Sequence, residues 1–489
     1  MVVQINREDF IYEVKTFLKV YFPNEVISCL ALTNRSNDFL IEIEDDFLSV
    51  SYFIQGELKY NSNASEEQIK HIGRIVDKIE KRKEQKKLMK QLISNVATQI
   101  TGKVQPWGIL TGIRPTKVVF NLRKKYGKDT NKIIEILSKE YKLSDAKIQL
   151  MLKIADKEQE ILNKNRSSET NIYIGIPFCP SKCLYCSFTS FPISKWQNHI
   201  MDYLNALKKE ISFLSEELLK GQVNAIRSIY IGGGTPTSLD ITALEVLLKA
   251  VKNAFNLAQI EEYTVEAGRP DTITKEKLLL LKQYGVNRIS INPQTMNQKT
   301  LDLIGRKHTP EDIIKTYDMA KDIGFKTINM DLIVGLPSET TEDVKNTIEQ
   351  IKKISPNNLT VHTMAIKRGS QLNDHEHIYT YASAESIEEM LNITSEGALS
   401  IGLEPYYLYR QKHMVGNFEN IGYAKKGHEC TYNVEIIEEK TNILALGVGG
   451  ITKIVTQGGK KIERIENVKD VEGYISRIDE MIDRKRNFS

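Results

Sequence analysis

Between Asn171 and Thr363 short apolar runs alternate with amphipathic stretches. The runs at residues 172–176, 228–231, 262–266, 288–291, 327–333 and 359–363 read as strands. Leu244, Leu247, Leu248, Val251 and Phe255 recur on one helical face, and residues 275–284, 310–323, 342–354 and 383–399 carry the same period. Strand, helix, strand at this spacing predicts parallel βαβ units. Six in succession fit a barrel or a partial (β/α)6 barrel of the α/β class, with a doubly wound sheet as the alternative. Residues 1–165 read instead as an α+β domain. They hold β-rich stretches at 26–32 and 39–60, with turns near Asp45-Asp46 and at Gln55-Gly56. A helix starts at Ser65, where Ser65 and Gln68 fit a capping box. Ile69, Ile72, Val76 and Ile79 carry it into the run Lys81 to Lys87. Trp107 to Lys117 is turn-rich, structural in the first instance and an anion site in the second. A last helix runs from near Ser144 through Ile148, Met151, Leu152 and Ala155 to Asn163. A polar linker, 163–170, separates this domain from the barrel at 171–400. A mixed C-terminal extension, 401–489, includes the glycine-rich Leu446-Gly447-Val448-Gly449-Gly450.

With 41% hydrophobic positions in 489 residues, the chain has the material for a sizeable core, which excludes a disordered or fibrous protein. No apolar run reaches the roughly 18 residues of a membrane-spanning helix. The segment Met1 to Asp9 lacks the basic start and apolar run of a signal peptide, so a cytoplasmic location is expected. The net charge of +4 is too balanced to argue for nucleic acid. Residues 1–165 are the basic part, with 28 Lys and Arg against 22 Asp and Glu. The run at 81–87 is first a solvated helix face and second a site for RNA or another anion. Five cysteines cannot build a disulfide framework, but three of them fall within eight residues. That pattern points to a reducing compartment and a metal site.

Cys179-Pro180-Ser181-Lys182-Cys183-Leu184-Tyr185-Cys186 follows the first strand of the βα series with the spacing C-x3-C-x2-C. Thiolates select zinc or iron–sulfur clusters. A closed zinc site needs four ligands, and the nearest further candidate, His199, is 13 residues on, in the next helix. Three thiolates on a four-iron cluster leave one iron open to another ligand. Zinc and unliganded core cysteines are the alternatives. Active sites of parallel barrels collect where the strands end, and this loop is in that place.

The spacing, with an aromatic residue, Tyr185, before the last cysteine, resembles the radical S-adenosylmethionine superfamily. The resemblance implies a 4Fe-4S cluster on Cys179, Cys183 and Cys186. It also implies S-adenosylmethionine on the open iron, split by one electron to a 5′-deoxyadenosyl radical. Tyr173-Ile174-Gly175-Ile176-Pro177-Phe178-Cys179 is similar to the opening segment of oxygen-independent coproporphyrinogen III oxidases. Gly232-Gly233-Gly234-Thr235-Pro236-Thr237 follows the second strand as in that family. Glu266 ends the third strand and Asn292-Pro293-Gln294 follows the fourth. Arg306 lies in Ile304-Gly305-Arg306-Lys307-His308, and Asp331 precedes Gly335-Leu336-Pro337. By resemblance, Tyr173, Gly233 and Glu266 contact the cluster-bound S-adenosylmethionine. Tyr185, Gly234, Thr235, Gln294, Arg306, Asp331 and Ala365 match positions that contact a second one. Any one of these polar residues has the alternative of capping a helix or satisfying a barrel carbonyl. The strings Val265-Glu266-Ala267-Gly268-Arg269-Pro270, Ser290-Ile291-Asn292-Pro293-Gln294-Thr295-Met296 and Tyr406-Tyr407-Leu408-Tyr409-Arg410-Gln411 narrow the resemblance to HemZ-type coproporphyrinogen dehydrogenases. Three features depart from the oxidases: Gly175 replaces a histidine, Phe188 replaces a further cysteine as in haem-chaperone relatives, and residues 1–165 do not look like the short N-terminal segment of those oxidases.

The resemblance implies oxidative decarboxylation of coproporphyrinogen III to protoporphyrinogen IX, with a tetrapyrrole substrate and an unidentified electron donor and acceptor. The basic N-terminal region, or Arg306 and its neighbours, would bind the substrate's carboxylates. A haem-binding chaperone and a radical methyltransferase or haem-opening enzyme are the rivals. No catalytic residue is assigned. His362, His413 and His428 are structural or haem-directed, and His428 with Cys430 offers too few ligands for a convincing metal site. The run Tyr406, Tyr407 and Tyr409 with Arg410 lines a flat macrocycle or packs on the barrel. Cys29 is expected as a small buried hydrophobe.

Overall fold

The computed structural model describes residues 1–31, 38–127, 129–164, 169–221, 225–367, 369–374, 379–411, 415–456 and 461–486. Two compact units divide the chain, Met1–Leu152 and Lys153–Ser489. Among the described residues no helix is long and apolar enough to cross a membrane.

The first unit holds a five-stranded sheet in the order Ser28–Leu30, Val2–Ile5, Phe39–Ile43, Leu48–Ile54, Glu57–Asn63. The first two pairings are parallel and the last two antiparallel. Gln55 and Gly56 take φ of 51° and 81°, the two positive angles that a tight hairpin turn needs. Helices Ile11–Tyr21 and Lys78–Thr101 bury Phe17, Leu18, Met89 and Val96 against Val3, Phe39 and Val50 of the sheet. The strand expected at 26–32 is confined to Ser28–Leu30, because Val26 is exposed; residue 32 lies outside the described residues. Cys29 is half-buried rather than buried.

The helix expected to run from Ser65 into the lysine-rich stretch is two helices. Ser65 and Gln68 form the capping box, but the first helix ends at Gly73. A second begins at Lys78, with the Asp77 carboxylate accepting from the Glu80 N–H. Gly73 is a poor helix former and Asp77 a strong cap, signals the apolar spacing concealed. Val76 is consequently 95% exposed. The basic run is paired within its own unit: Lys81 with Asp45, Arg82 with Asp9, Lys83 with Glu80, Lys86 with Glu13, and Lys87 with Glu84 and Glu140. Those carboxylates favour the solvated-face reading over an RNA site. Trp107 is buried, and Gly108 comes so close to Tyr141 that a Cβ would stand 2.1 Å from its carbonyl oxygen, so the start of the turn-rich segment is structural.

One eleven-stranded sheet organises the second unit. Six parallel strands stand side by side in chain order: Thr170–Ile176, Ile226–Gly233, Glu262–Glu266, Arg288–Ser290, Thr327–Val334 and Asn358–Thr363. Spatial order follows chain order with no reversal, which fits a partial barrel and not a doubly wound sheet. Helices Ile241–Ala254, Lys275–Gln283, Pro310–Ile323, Thr341–Ile354 and Ala384–Ser400 accompany them. Local chemistry sets their starts: Thr309 with Asp312, and Thr340 with Asp343, form capping boxes, and Pro310 sits in the first turn. The C-terminal strands extend both edges of the series. Asn420–Ala424 pairs antiparallel with the sixth strand and carries Glu404–Tyr409. Asn442–Leu446 pairs parallel with the first and carries Ile451–Thr456 and Lys461–Glu466.

A buried carboxylate fastens the glycine-rich turn after Leu446. Glu210, on helix Ile200–Leu219, accepts from the Gly447 N–H at 2.8 Å, the Tyr474 hydroxyl at 2.6 Å, the Asn467 amide at 2.9 Å and the Lys485 ammonium. A Cβ on Gly447 would lie 2.5 Å from the Gly175 carbonyl oxygen. The Tyr203 hydroxyl donates to that same oxygen at 2.5 Å. Gly175, where the resembled oxidases carry histidine, is thus roofed by this turn. Glu210→Gln is expected to destabilise the protein by about 3–5 kcal/mol, because it leaves Lys485 buried without a counter-charge. Urea unfolding would read the loss, and the double replacement Glu210→Gln with Lys485→Met is expected to recover part of it.

Candidate active site

Parallel strands all end on one side of the sheet, so residues at their ends converge whatever their distance in sequence. A cavity of about 700 Å³ opens among these residues. Every residue expected from the sequence lines it: Cys179, Cys183, Cys186, Tyr173, Tyr185, Gly233, Gly234, Thr235, Glu266, Gln294, Arg306, Asp331 and Ala365.

The glycine turn after the second strand supports the cysteine loop. Gly234 N–H donates to the Ile176 carbonyl at 2.8 Å, and Thr235 N–H to the Phe178 carbonyl at 2.7 Å. A Cβ on Gly234 would stand 2.6 Å from the Phe178 oxygen, so this approach requires glycine. The Thr235 hydroxyl lies 3.4 Å from the Cys179 sulfur. Burial pushes the Cys179 thiol up to about 11, and the Cys186 thiol up as well. Such thiols keep their protons at neutral pH until a soft metal displaces them. Among the described residues no group of three or more His, Cys, Asp or Glu side chains is placed to hold one metal ion. Thiolates on a cubane each bind a different iron, so three sulfurs in one loop fit that group without sharing a point.

Glu266 ends the third strand beneath this turn. It accepts from the Tyr230 hydroxyl at 2.5 Å and the Gly233 N–H at 3.3 Å. Burial, opposed by the Tyr230 hydrogen bond and reinforced by Asp331, raises its carboxyl to about 7. The Tyr230 ring stacks on Tyr432 at 4.5 Å and on Tyr173 at 6.3 Å. Asp331 behaves differently. Burial would raise it, but His362, 3.8 Å away, and the Asn329 amide hold it below the usual range. Asn292 and Asn329 each donate to it at 2.8 Å. Gln294 adopts φ of 67°, a left-handed backbone rare outside glycine and held here by bonds to Asp331 and Ile333 on the fifth strand. Arg306 donates to the Gly268 carbonyl at 2.9 Å and the Tyr185 hydroxyl at 3.1 Å. Arg306 Nε and Asn292 Oδ1 are buried with no hydrogen-bond partner among the described residues. Orphaned polar atoms on the wall of one cavity fit a polar ligand.

Sequence reasoning left Tyr230, Arg269, Asn292, His362 and Tyr432 without a place in the site, yet all line the cavity. Arg269 stood inside a diagnostic string, which was its only signal, and Asn292 stood both in such a string and just past the end of the fourth strand. Tyr432, on the short helix Thr431–Glu438, had none. The aromatic run divides. Tyr406 is fully buried in the core, whereas Tyr407 and Tyr409, with rings 6.2 Å apart and 5° from parallel, line the cavity. Arg410 is buried and donates to the Asn417 carbonyl. His428 and Cys430 make no metal site: one bonds the Thr327 hydroxyl at 2.9 Å, the other Glu262 at 3.2 Å. His413 lies outside the described residues. Phe188 is 67% exposed, with the Lys367 ammonium 5.9 Å from its ring centre.

Comparison with known proteins agrees with this geometry. The radical SAM superfamily model matches residues 173–351. The oxygen-independent coproporphyrinogen-III oxidase-like protein HemZ of Bacillus subtilis (strain 168) is 37% identical over 451 residues, 92% of this chain and 89% of that protein. The heme chaperone HemW of the same organism is 30% identical over 271 residues, 54% of this chain and 65% of its own. Among solved structures, the coproporphyrinogen III oxidase HemN of Escherichia coli, a radical SAM enzyme, shares the fold. It has a TM-score of 0.50 and 22% identity, over 67% of this chain and 73% of that one. The chain therefore belongs to the radical SAM superfamily, in the HemZ group of oxygen-independent coproporphyrinogen III oxidase-like proteins, and its cofactors are a 4Fe-4S cluster and S-adenosylmethionine.

Proposed function

We propose that the protein converts coproporphyrinogen III to protoporphyrinogen IX without oxygen, in porphyrin and haem biosynthesis. One observation carries the reading: the three thiols of the cysteine loop face the same cavity as a wall of tyrosines, Tyr173, Tyr230, Tyr432, Tyr407 and Tyr409. Stacked, flat phenol faces suit a macrocycle, and the likeness to HemZ over most of both chains supports the substrate class.

Cys179, Cys183 and Cys186 are the proposed cluster ligands. When bound, the cluster and S-adenosylmethionine would supply a radical able to take a hydrogen atom from a propionate side chain. That propionate then loses carbon dioxide, and one electron to an external acceptor, leaving a vinyl group; two of the four propionates react in this way. Glu266 is proposed to accept from the amino group of the cluster-bound nucleotide, with Tyr173 beside it. Gly233, at φ of 106°, allows close backbone approach. Tyr185, Gly234, Thr235, Gln294, Arg306, Asp331 and Ala365 are proposed to hold a second S-adenosylmethionine. Arg306 Nε would take its carboxylate and Asp331 its ammonium. The tyrosines keep water from the reacting carbon. The sparse cysteines suit a cytoplasmic setting. A second reading, haem binding without turnover, is favoured by the exposed ring of Phe188 and by the HemW relatives.

Protein reconstituted anaerobically with iron, sulfide, reductant and S-adenosylmethionine is expected to yield monovinyl and divinyl products from coproporphyrinogen III, read by mass spectrometry. Deoxyadenosine release with unchanged porphyrinogen rejects the substrate, and stable haem binding without turnover favours the second reading. Cys183→Ser is expected to lower iron and sulfide content and to bring deoxyadenosine formation to background. Nucleotide affinity is expected to rise with pH, because Glu266 sheds its proton near pH 7 and the carboxylate is the form that accepts from an amino N–H. Each unit below 7 costs up to about tenfold in affinity. Equilibrium binding between pH 6 and 8 checks this, with Glu266→Gln weaker and flat across that range.

A further inference from the structure

Arg269 follows Gly268 just beyond the third strand and is 3% exposed. Its guanidinium is held on every edge. Nε and Nη2 fork onto Asp271 at 3.0 and 2.9 Å. Nη1 donates to both the carbonyl and the hydroxyl of Ser181 at 3.2 Å. The same Nη1 lies 3.5 Å from the sulfur of Cys183. A planar, bidentate fork of this kind cannot swing, and it leaves one N–H-bearing corner aimed at the cysteine loop. The contrast within the loop is informative. Cys179 has the neutral hydroxyl of Thr235 as its partner, whereas Cys183 has a buried cation.

We propose that Arg269 is a positioning residue that raises the reduction potential of the cluster through its N–H and positive charge at the Cys183 sulfur. The inference rests on Cys183 being a cluster ligand, as proposed above. Reduction adds one electron from an external donor and breaks no bond. The reduced cluster is more negative, so a hydrogen bond and a cation at a ligand sulfur favour it. Asp271 offsets part of that charge but sits on the far edge of the guanidinium, and its main effect is to aim Nη1. Lysine could supply the charge but not three fixed directions at once.

The test compares wild-type, Arg269→Gln, Arg269→Lys and Ser181→Ala proteins, all reconstituted anaerobically. Iron and sulfide per chain are measured, and the electron paramagnetic resonance signal of the reduced cluster is followed through a graded-potential titration without substrate. Arg269→Gln is expected to load iron like the wild type and to titrate at a more negative potential. Arg269→Lys should fall between the two, and Ser181→Ala should follow the wild type. An Arg269→Gln protein that loads fully and titrates with the wild type overturns the proposal. So does iron loss in both arginine variants, or a Ser181→Ala shift as large as that of Arg269→Gln, since either makes Arg269 a strut for the loop. If Arg269→Gln alone fails to load, Arg269→Lys decides: a lowered potential upholds the proposal and an unshifted one overturns it. A wild-type protein that forms no cubane is a different result, which removes the ligand assignment itself.

Discussion

Where the first and second strands end, two stretches of backbone touch, and they can do so only because Gly234 carries no side chain. The contact is hydrogen-bonded from both Gly234 and Thr235. It brings the cysteine loop over the sheet's edge and sets the Thr235 hydroxyl beside Cys179. The rest of the site depends on this arrangement. Glu266, on the next strand, supports the turn from below through the Gly233 N–H. The fourth and fifth strands add Gln294 and Asp331 at the same level, strapped together by backbone bonds.

Polar groups within this apolar-walled space have been given opposite tendencies. Glu266 has a tyrosine hydroxyl and no cation as its partner, and holds its proton to about pH 7. Asp331, equally buried, has two amides and a histidine and stays ionised. Two acids on adjacent rims thus present different hydrogen-bonding faces to a ligand. The arginines are likewise distinct. Arg306 points into the cavity with an unsatisfied nitrogen, while Ser181 ties Arg269 to the loop and Asp271 holds its far edge.

The periodic signals were legible in the sequence. All six parallel strands lie within two residues of their expected ends, because apolar runs between helical stretches have few other uses. The local site was legible too, since the cysteine spacing, Gly232-Gly233-Gly234 and the strand-end polar residues are fixed by position along the chain. What stayed hidden depends on packing between distant segments. Tyr432 reaches Tyr230 only once the C-terminal strands flank the sheet. The break between Gly73 and Lys78 escaped because Ile69, Ile72, Val76 and Ile79 kept helical spacing across it.

The glycine-rich turn that roofs Gly175 owes its anchorage to Glu210 and Lys485, partners 275 residues apart. During synthesis the cysteine loop leaves the ribosome long before that lysine exists. At about 5–20 residues per second the interval is on the order of tens of seconds. Throughout it the nascent chain presents three thiols while the turn over Gly175 is still unlatched. The order in which this side of the site closes is therefore set by translation: the latch on the turn cannot form before the segment that carries Lys485 has been made.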